Sequence, residues 1–262
     1  MSETRMRYFF IERAEAVKPI SKISGSDAKH IKNVMRLKSG DIIGLFDGEG
    51  LEYKARIASL SPGSVNVSVL ESFSSTAESP VHITVAQAYL KDRKMDDLIR
   101  QVTALGVTRW APFFAAHSVP RLDEKRLSER VKRWKKIAKE ALKQCKRGRM
   151  MEINKPGSFE DAINLGQGHD LKIAFWERES APINAELHPR SGGNFQKIFL
   201  LLGPEGGFTS QEIAKARAGG FITAALGPRI LRAETATLAA CALIQYLFGD
   251  MGQKNLDKDS VL

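Results

Sequence analysis

Two short segments in the carboxy-terminal third of the chain combine glycine, proline and charged side chains. The first reads Leu-Gly-Pro-Glu-Gly-Gly at 202–207, and the second reads Leu-Gly-Pro-Arg-Ile-Leu-Arg at 226–232. Glycine lets a backbone approach a ligand closely, proline stiffens a turn, and amides outside a sheet ladder are free to donate hydrogen bonds. Chain reversal alone would explain one such turn, but two of them, each flanked by charged residues, favour a shared binding site.

The residue types in these turns limit the classes of ligand that they could bind. Neither turn carries the Lys-Ser/Thr pair of a phosphate-binding P-loop, and no Gly-x-Gly-x-x-Gly pattern stands at a strand–helix junction. The second turn is rich in apolar side chains, Leu226, Ile230 and Leu231, as a slot for a flat heterocycle such as adenine requires. The residues alone therefore predict a small-molecule or cofactor pocket beside a basic surface, without naming its ligand.

The positive charge of the chain is concentrated in one segment. The sequence holds 40 Lys/Arg and 30 Asp/Glu, a net charge of +10, and residues 121–149 alone hold 13 Lys/Arg against 4 Asp/Glu, or +9. Clustered cations bind polyanions by releasing counterions, although a solvated basic helix face is the simpler alternative. We favour nucleic acid as the partner. The side chains expected to contact phosphates are Arg36, Lys132, Arg133, Lys136, Lys143, Lys146 and Arg147.

Other reactive residue types form no recognisable site in the sequence. The five histidines share no spacing, and Cys145 and Cys241 lie too far apart to indicate a metal site or a disulfide framework. No apolar run is long enough to cross a bilayer. We therefore expect no metal, no membrane-spanning segment, and a reduced, cytoplasmic setting.

The pattern of residues 1–72 is typical of a small β-barrel domain. Short strands bounded by turn residues are predicted at 41–46, 51–57 and 65–69. One helical stretch, at 27–36, interrupts them. The serine-rich residues 73–80 read as a linker to the next domain.

After residue 81 the pattern changes to alternating strands and helices. Strands are predicted at 81–86, 107–113, 171–176, 198–202 and 221–226, and helices at 95–105, 159–165, 209–218 and 234–248. An apolar stripe predicts one more helix, through Leu127, Val131, Trp134, Ala138, Ala141 and Cys145. This alternation is typical of an α/β fold with a mostly parallel sheet, and we assign it residues 81–250, with 251–262 as a flexible tail. In such a sheet, ligands bind beyond the carboxyl ends of the strands, where both Gly-Pro turns fall.

These motifs together resemble a known family. The segments "LLGPEGGFTSQEI" and "LGPRILRAETATLAA" closely resemble the paired signature of SPOUT-class methyltransferases that methylate N3 of a uridine in small-subunit ribosomal RNA. Similarity to the same family continues in "MRYFF", "DAKHIKNVMRLKSGD", "LFDGEG", "KMDDLIRQVTALGV" and "RWKKIAKEALKQCKRGR". The resemblance therefore covers nearly the whole chain.

The resemblance implies an amino-terminal PUA-like β-barrel and a methyltransferase domain threaded into a trefoil knot. It also implies S-adenosylmethionine as the cofactor, a homodimer that completes the active site, and small-subunit (16S) ribosomal RNA as the substrate. The residues that would line the cofactor pocket, matched by position, are Leu202, Gly203, Gly206, Leu226, Gly227, Ile230 and Leu231.

For catalysis we expect a cation beside the uracil, because the imide nitrogen becomes nucleophilic only when its proton leaves. Arg232, together with Arg7 from the barrel, would stabilise the resulting anion. Glu205 or Glu234 could accept the proton or orient an arginine. Glu205 could equally cap the amides of its own loop, and for Glu234 the favoured alternative is a helix-dipole carboxylate.

Two other functions are compatible with parts of this pattern. A ribose 2′-O-methyltransferase of the same superfamily would also carry a glycine-rich loop, but typically with Ser-Leu-Asn where this chain has residues 230–235, Ile-Leu-Arg-Ala-Glu-Thr. A non-catalytic ribosome-assembly factor would need the barrel and the basic helix but not the paired loops.

Overall fold

The computed structural model describes residues 6–119, 123–179 and 195–252. Two compact units make up the chain: the first comprises Met1–Glu78 and Lys139–Met150, and the second comprises Ser79–Ala138 and Met151–Leu262. The first unit is therefore discontinuous in sequence. The tail predicted at 251–262 lies almost wholly outside the described residues.

The first unit is built on a curled five-stranded sheet. Its strands are β1 (Tyr8–Phe10), β2 (Ser21–Ser24), β3 (Ile42–Phe46), β4 (Leu51–Ser61) and β5 (Ser64–Ser74). The order is β1-β3-β4-β5-β2, with β1 parallel to β3 and the other pairs antiparallel. Pro62 and Gly63 join the two long strands, and Gly63 takes φ +78, a left-handed conformation that glycine adopts readily. Phe73 and Ser74, the first residues of the predicted linker, still belong to β5.

Two short helices and one π-helical turn accompany this sheet. They are α1 (Arg13–Ala16), α2 (Gly25–Lys29) and the π-helical turn His30–Val34. The helix predicted at 27–36 is thus shorter and irregular, and Arg36 has already left the helical region with φ +53. The apolar residues Ile31, Ile43, Leu45 and Val67 are fully buried and form the centre of this unit's core.

The second unit is an α/β domain in which every strand pairing seen in the described residues is parallel. Its strands are β6 (His82–Ala88), β7 (Arg109–Phe114), β8 (Glu152–Ile153), β9 (Gly157–Ser158), β10 (Leu171–Phe175), β11 (Lys197–Leu202) and β12 (Ile222–Ala224). The order is β12-β10-β11-β6-β7-β8, with β9 also paired to β7. The parallel sheet predicted from the alternating pattern is confirmed.

Within the described ranges, five helices belong wholly or partly to this unit. They are α3 (Lys94–Ala104), α4 (Glu124–Cys145), α5 (Phe159–Leu165), α6 (Ser210–Ala218) and α7 (Ala233–Leu247). The capping box predicted at the start of α6 is confirmed, since Glu212 N donates to Thr209 Oγ1 at 3.1 Å and Thr209 N donates to Glu212 Oε2 at 2.9 Å. Among the described residues, no helix is both long and apolar enough to cross a membrane.

Four residues of the predicted apolar stripe of α4 are buried, and its two end residues, Leu127 and Cys145, are half-buried. Trp134 is fully buried, and its indole Nε1 donates to the carboxylate of Asp96 at 3.0 Å. Val131 and Ala138 are buried in the same cluster. Trp134 is therefore a core residue, which excludes it as a base-stacking platform.

Candidate active site

A cavity of about 630 Å³ lies in the second unit, beyond the carboxyl ends of neighbouring parallel strands. The loop after β11 supplies residues 203–207, and the loop after β12 supplies residues 226–232. Trp176 and Glu177, which follow β10, and Lys94, which begins α3, complete part of its lining. The sheet order explains this grouping, because β6, β11, β10 and β12 are successive neighbours with the same direction.

The first loop is held in place through its carbonyl oxygens. Gln87 Nε2 donates to Gly203 O at 3.1 Å, and Gly207 N donates to Pro204 O at 3.0 Å. His117 Nδ1 lies 3.0 Å from Gly206 O and 3.1 Å from the carbonyl oxygen of Gly207, so the ring nitrogen serves as the donor.

Close packing explains why glycine occupies two positions of this loop. A Cβ on Gly206 would lie 2.9 Å from His117 Cβ. One on Gly207, whose φ is +68, would lie 2.6 Å from Glu177 Oε1. Packing against His117 therefore favours glycine at 206, and the positive φ favours it at 207, where the Glu177 carboxylate could move aside. The predicted close approach of this backbone to a ligand stays a prediction.

The carboxylate of Glu205 binds a lysine, not an arginine as one of its predicted roles requires. Its Oε1 accepts hydrogen bonds from Lys94 Nζ at 3.1 Å and from Lys91 N at 3.2 Å. Burial acts to raise the pKa of Glu205, but hydrogen bonds from its own amide and from Lys94 outweigh this and hold the pKa below its ordinary value. A carboxylate with a lowered pKa is a weak proton acceptor, so orientation and loop capping fit Glu205 better than general-base catalysis.

Glu234 lies in the first turn of α7 and meets the same lysine. Its Oε2 is 3.3 Å from Lys94 Nζ. The position in the first helical turn also suits a carboxylate through the helix dipole, as the sequence indicates. Lys94 therefore forms ion pairs with the first loop and with the first turn of α7, the helix that follows the second loop.

The second loop offers apolar surface and two exposed cations, Arg229 and Arg232. Gly227 has φ +94, and a Cβ there would meet no atom within 4 Å. Leu226 packs against the core, whereas Ile230 is 86% exposed at the cavity. Arg232 is exposed at the N-cap of α7 and makes no side-chain capping bond. The cavity can thus hold an apolar ring system against the leucines and present a guanidinium to a second, polar ligand.

The cavity brings together most of the residues predicted for catalysis and cofactor binding. Those that line it are Leu202, Gly203, Glu205, Gly206, Leu226, Gly227, Ile230, Leu231 and Arg232. Arg7 belongs to the first unit, where it is exposed next to β1 and its carbonyl oxygen accepts a hydrogen bond from Gly44 N.

The residues predicted to contact RNA fall into two groups. Lys132, Lys136, Lys146 and Arg36 are exposed. Arg133 is exposed as well, although its Nε donates to Asp96 Oδ2 at 2.7 Å. These five positions are accessible to a phosphate.

Two of the predicted RNA contacts do not fit their positions. Arg147 is only 3% exposed and its guanidinium binds the carboxylate of Glu78, at 3.0 Å from Nη2. Lys143 is largely buried and its Nζ binds Asp27 Oδ1 at 2.7 Å. Both cations are already neutralised inside the first unit, so we remove Arg147 and Lys143 from the proposed RNA-binding set.

Sequence reasoning missed Gln87, Lys94, His117 and Glu177. A signal for Lys94 and Glu177 was present, because each follows a predicted strand that belongs to the same parallel sheet. The spacing of the histidines does not predict a role for His117, because its contact with the first loop joins residues 89 positions apart in sequence.

The fold and the cavity define a class of protein: an α/β domain that binds a ligand at the carboxyl edge of a parallel sheet, joined to a curled β-sheet unit. Residues 77–245 match the family of RNA methyltransferase domains, and residues 23–70 match the RNA methyltransferase PUA domain. The two matches fall mainly in the second and the first unit, respectively.

Individual relatives lead to a narrower family. Ribosomal RNA small subunit methyltransferase E of Bacillus subtilis is 33% identical over 92% of this chain and 96% of its own length. The protein of the same name from Buchnera aphidicola is 30% identical, over 87% of this chain and 88% of its own. The structure of ribosomal RNA small subunit methyltransferase E from Neisseria gonorrhoeae bound to S-adenosyl methionine matches with a TM-score of 0.84 at 29% identity, covering 94% of this chain and 99% of that one. The chain belongs to the ribosomal RNA small subunit methyltransferase E family.

Proposed function

We propose that this chain transfers a methyl group from S-adenosylmethionine to N3 of a specific uridine in 16S ribosomal RNA. The observation that carries the proposal is the cavity formed by both Gly-Pro loops, in a chain whose relative from Neisseria gonorrhoeae is described with S-adenosyl methionine bound. The name shared by the curated relatives supports small-subunit ribosomal RNA as the substrate.

The residues of the cavity fit an adenosyl donor. Apolar side chains line the cavity beside the backbone of both loops, and Gly227 leaves open space where any side chain would project. The seven lining residues Leu202, Gly203, Gly206, Leu226, Gly227, Ile230 and Leu231 would hold the donor, which supplies an electrophilic methyl group. No metal is required for this transfer.

Arg232 is the proposed catalytic cation. It is exposed at the cavity and unrestrained by a capping bond, so its guanidinium is free to reach the carbonyl oxygens of a uracil ring. There it would stabilise the anion that forms when N3 loses its proton. Glu205 is proposed to support the loop. The role predicted for Arg7 stays a prediction.

The side chains proposed to contact RNA are Arg36 and Lys146 in the first unit and Lys132, Arg133 and Lys136 in the second. Each is exposed, and four of the five make no ion pair recorded within the described ranges. Exposed cations attract the phosphate backbone irrespective of sequence, which suits contacts that position RNA rather than select the base. The target base would be turned out of its stack to reach the cavity.

We also propose a homodimer. One face of α7 exposes apolar side chains at helical spacing: Ala239, Ala242 and Leu243 are half-buried and Tyr246 is 64% exposed. The opposite face, with Cys241 and Ile244, is fully buried in the core. A helix that is apolar on both faces favours a second partner, and a second copy of the chain is the partner that the resemblance implies.

The trefoil knot, the SPOUT class and the domain division remain part of the same proposal. The division is 1–72 for a PUA-like domain, 73–80 for a linker and 81–250 for the methyltransferase domain. Action on ribosomal RNA supports a cytoplasmic location.

Mapping of modified bases tests the proposed function. Ribosomal RNA from cells that lack the gene should lack one N3-methyluridine in the small subunit, and purified protein with S-adenosylmethionine should restore it. Loss of a ribose 2′-O-methyl group would instead identify the other methyltransferase activity. Retention of every modification, together with no S-adenosylmethionine binding by calorimetry, would indicate a non-catalytic assembly factor.

A further inference from the structure

Lys94 connects three segments that are distant in sequence. Its Nζ lies 3.1 Å from Glu205 Oε1 in the first loop and 3.3 Å from Glu234 Oε2 in the first turn of α7. The side chains of Lys94, Glu205 and Glu234 are 34%, 29% and 28% exposed. The three charges are therefore partly withdrawn from water, where their interaction is stronger than on an open surface.

One cation serves two carboxylates in this cluster. Glu234 Oε2 is buried and receives no well-oriented hydrogen bond within the described part of the chain, so the nearby ammonium is what compensates its charge. Without the ammonium, the two carboxylates, each within 3.3 Å of Lys94 Nζ, would be close neighbours and repel. Repulsion would separate the first loop from the start of α7, which carries Arg232 two residues before Glu234.

We propose that Lys94 is a positioning residue of the methyl-transfer site: it holds the first loop and the amino-terminal end of α7 at the spacing that the bound adenosyl donor requires. This inference rests on the proposed function. It assigns to Lys94 no contact with the reacting atoms, because its ammonium is already engaged by Glu205 and Glu234.

The ionisation of the cluster is consistent with this role. Burial acts to lower the pKa of Lys94, but its hydrogen bond to Glu205 and the nearby carboxylate of Glu234 outweigh burial, and the pKa lies above its ordinary value. The pKa of Glu205 is lowered. The lysine and Glu205 therefore stay charged at neutral pH, as a lasting ion pair requires.

The first test compares Lys94→Met with Lys94→Arg. In calorimetry with S-adenosylmethionine alone, Lys94→Met should bind roughly three- to tenfold more weakly, since partly exposed ion pairs are of this strength. Lys94→Arg keeps the charge and should stay within about twofold of the unchanged protein. The matched control is Arg100→Met, which removes another cation of α3 that pairs only with Asp97 in the described structure and should leave the affinity unchanged.

Measurements of activity and of thermal stability distinguish a positioning role of Lys94 from a general structural role. Lys94→Met should lower kcat for RNA methylation as well as donor affinity, because Arg232 moves with α7, while the thermal unfolding midpoint without ligand stays close to that of Arg100→Met. An equal loss in Lys94→Arg, or a large drop in the unfolding midpoint, would overturn the inference in favour of a general structural role.

A double variant tests whether Lys94 acts through Glu205. Glu205→Gln removes one of the two opposed carboxylates, so in the Lys94→Met background it should restore part of the donor affinity. Additive losses would overturn the inference. If the unchanged protein bound no S-adenosylmethionine, the proposed function would fail and this inference with it. If it bound normally and Lys94→Met bound equally well, this inference alone would fail.

Discussion

Gln87 donates a hydrogen bond from Nε2 to the carbonyl oxygen of Gly203, at 3.1 Å, across 116 positions of sequence. The same amide group accepts a hydrogen bond from the Thr237 hydroxyl of α7 through Oε1. Gln87 is fully buried at the end of β6, next to β11 in the sheet. A single buried amide thus connects the start of the first ligand loop with the helix that follows the second.

Replacement of Gln87 by leucine should destabilise the protein and weaken its donor site. The change leaves Gly203 O without this partner in the interior, and an unpaired buried polar group costs about 1–3 kcal/mol. Denaturant unfolding measures the loss, and calorimetry with S-adenosylmethionine measures the site. Thr237→Val, which removes only the hydroxyl, should cost less. Unchanged stability in Gln87→Leu would show that the amide is not a structural connection.

Arg232→Ala should abolish methylation while leaving donor affinity within about threefold. The guanidinium is proposed to stabilise charge that develops on the uracil, and removal of such a group lowers kcat by on the order of a hundredfold or more. Single-turnover methylation of ribosomal RNA, beside calorimetry with the donor, provides both measurements. Arg232→Lys keeps the charge and should retain more activity than alanine. Full activity in Arg232→Ala would rule out the assignment.

Neutralisation of four exposed cations should weaken RNA binding for every sequence tested. The variant carries Arg36→Gln, Lys132→Gln, Lys136→Gln and Lys146→Gln. Each phosphate contact adds about 0.7 to the slope of log affinity against log salt for single strands, so the slope should fall by up to about three. The control replaces Lys155 and Lys215, which already pair with Glu124 and Glu160, and should keep the slope. An unchanged slope in the quadruple variant would exclude these contacts.

Arg147 and Lys146 are adjacent cations with opposite expected effects. Arg147→Met leaves the carboxylate of Glu78 without its buried partner and should lower the free energy of unfolding by about 3 kcal/mol. Lys146→Met removes an exposed charge and should change stability by less than about 0.5 kcal/mol, but should weaken RNA binding. Thermal unfolding and filter binding distinguish the two. Weaker RNA binding by a stable Arg147→Met would return Arg147 to the RNA-binding set.

Local patterns in the sequence predicted the parts of this structure that depend on neighbours in the chain. The apolar stripe around Trp134, the capping box of Thr209 and Glu212, and the parallel strands are all present. Residues 27–36 are predicted as one helix from the spacing of their apolar residues. That spacing cannot show that the chain takes a left-handed conformation at Arg36 and so leaves the helix.

The charged residues show the limit of that reasoning. The high density of positive charge predicts that Arg147 and Lys143 contact RNA. In the structure, Glu78 binds Arg147 and Asp27 binds Lys143 inside the first unit. Sequence spacing cannot reveal such pairs, since the partners are 69 and 116 positions away.

The sequence by itself determined the two Gly-Pro loops, the alternation that makes a parallel sheet, and the family signature. Only the tertiary structure decided that Gln87, Lys94 and His117 hold the first of those loops, and that Glu205 meets a lysine. The physical reason is that residue type and spacing report which face of an element is buried, whereas the order of the strands in the sheet decides which distant side chains meet at its edge.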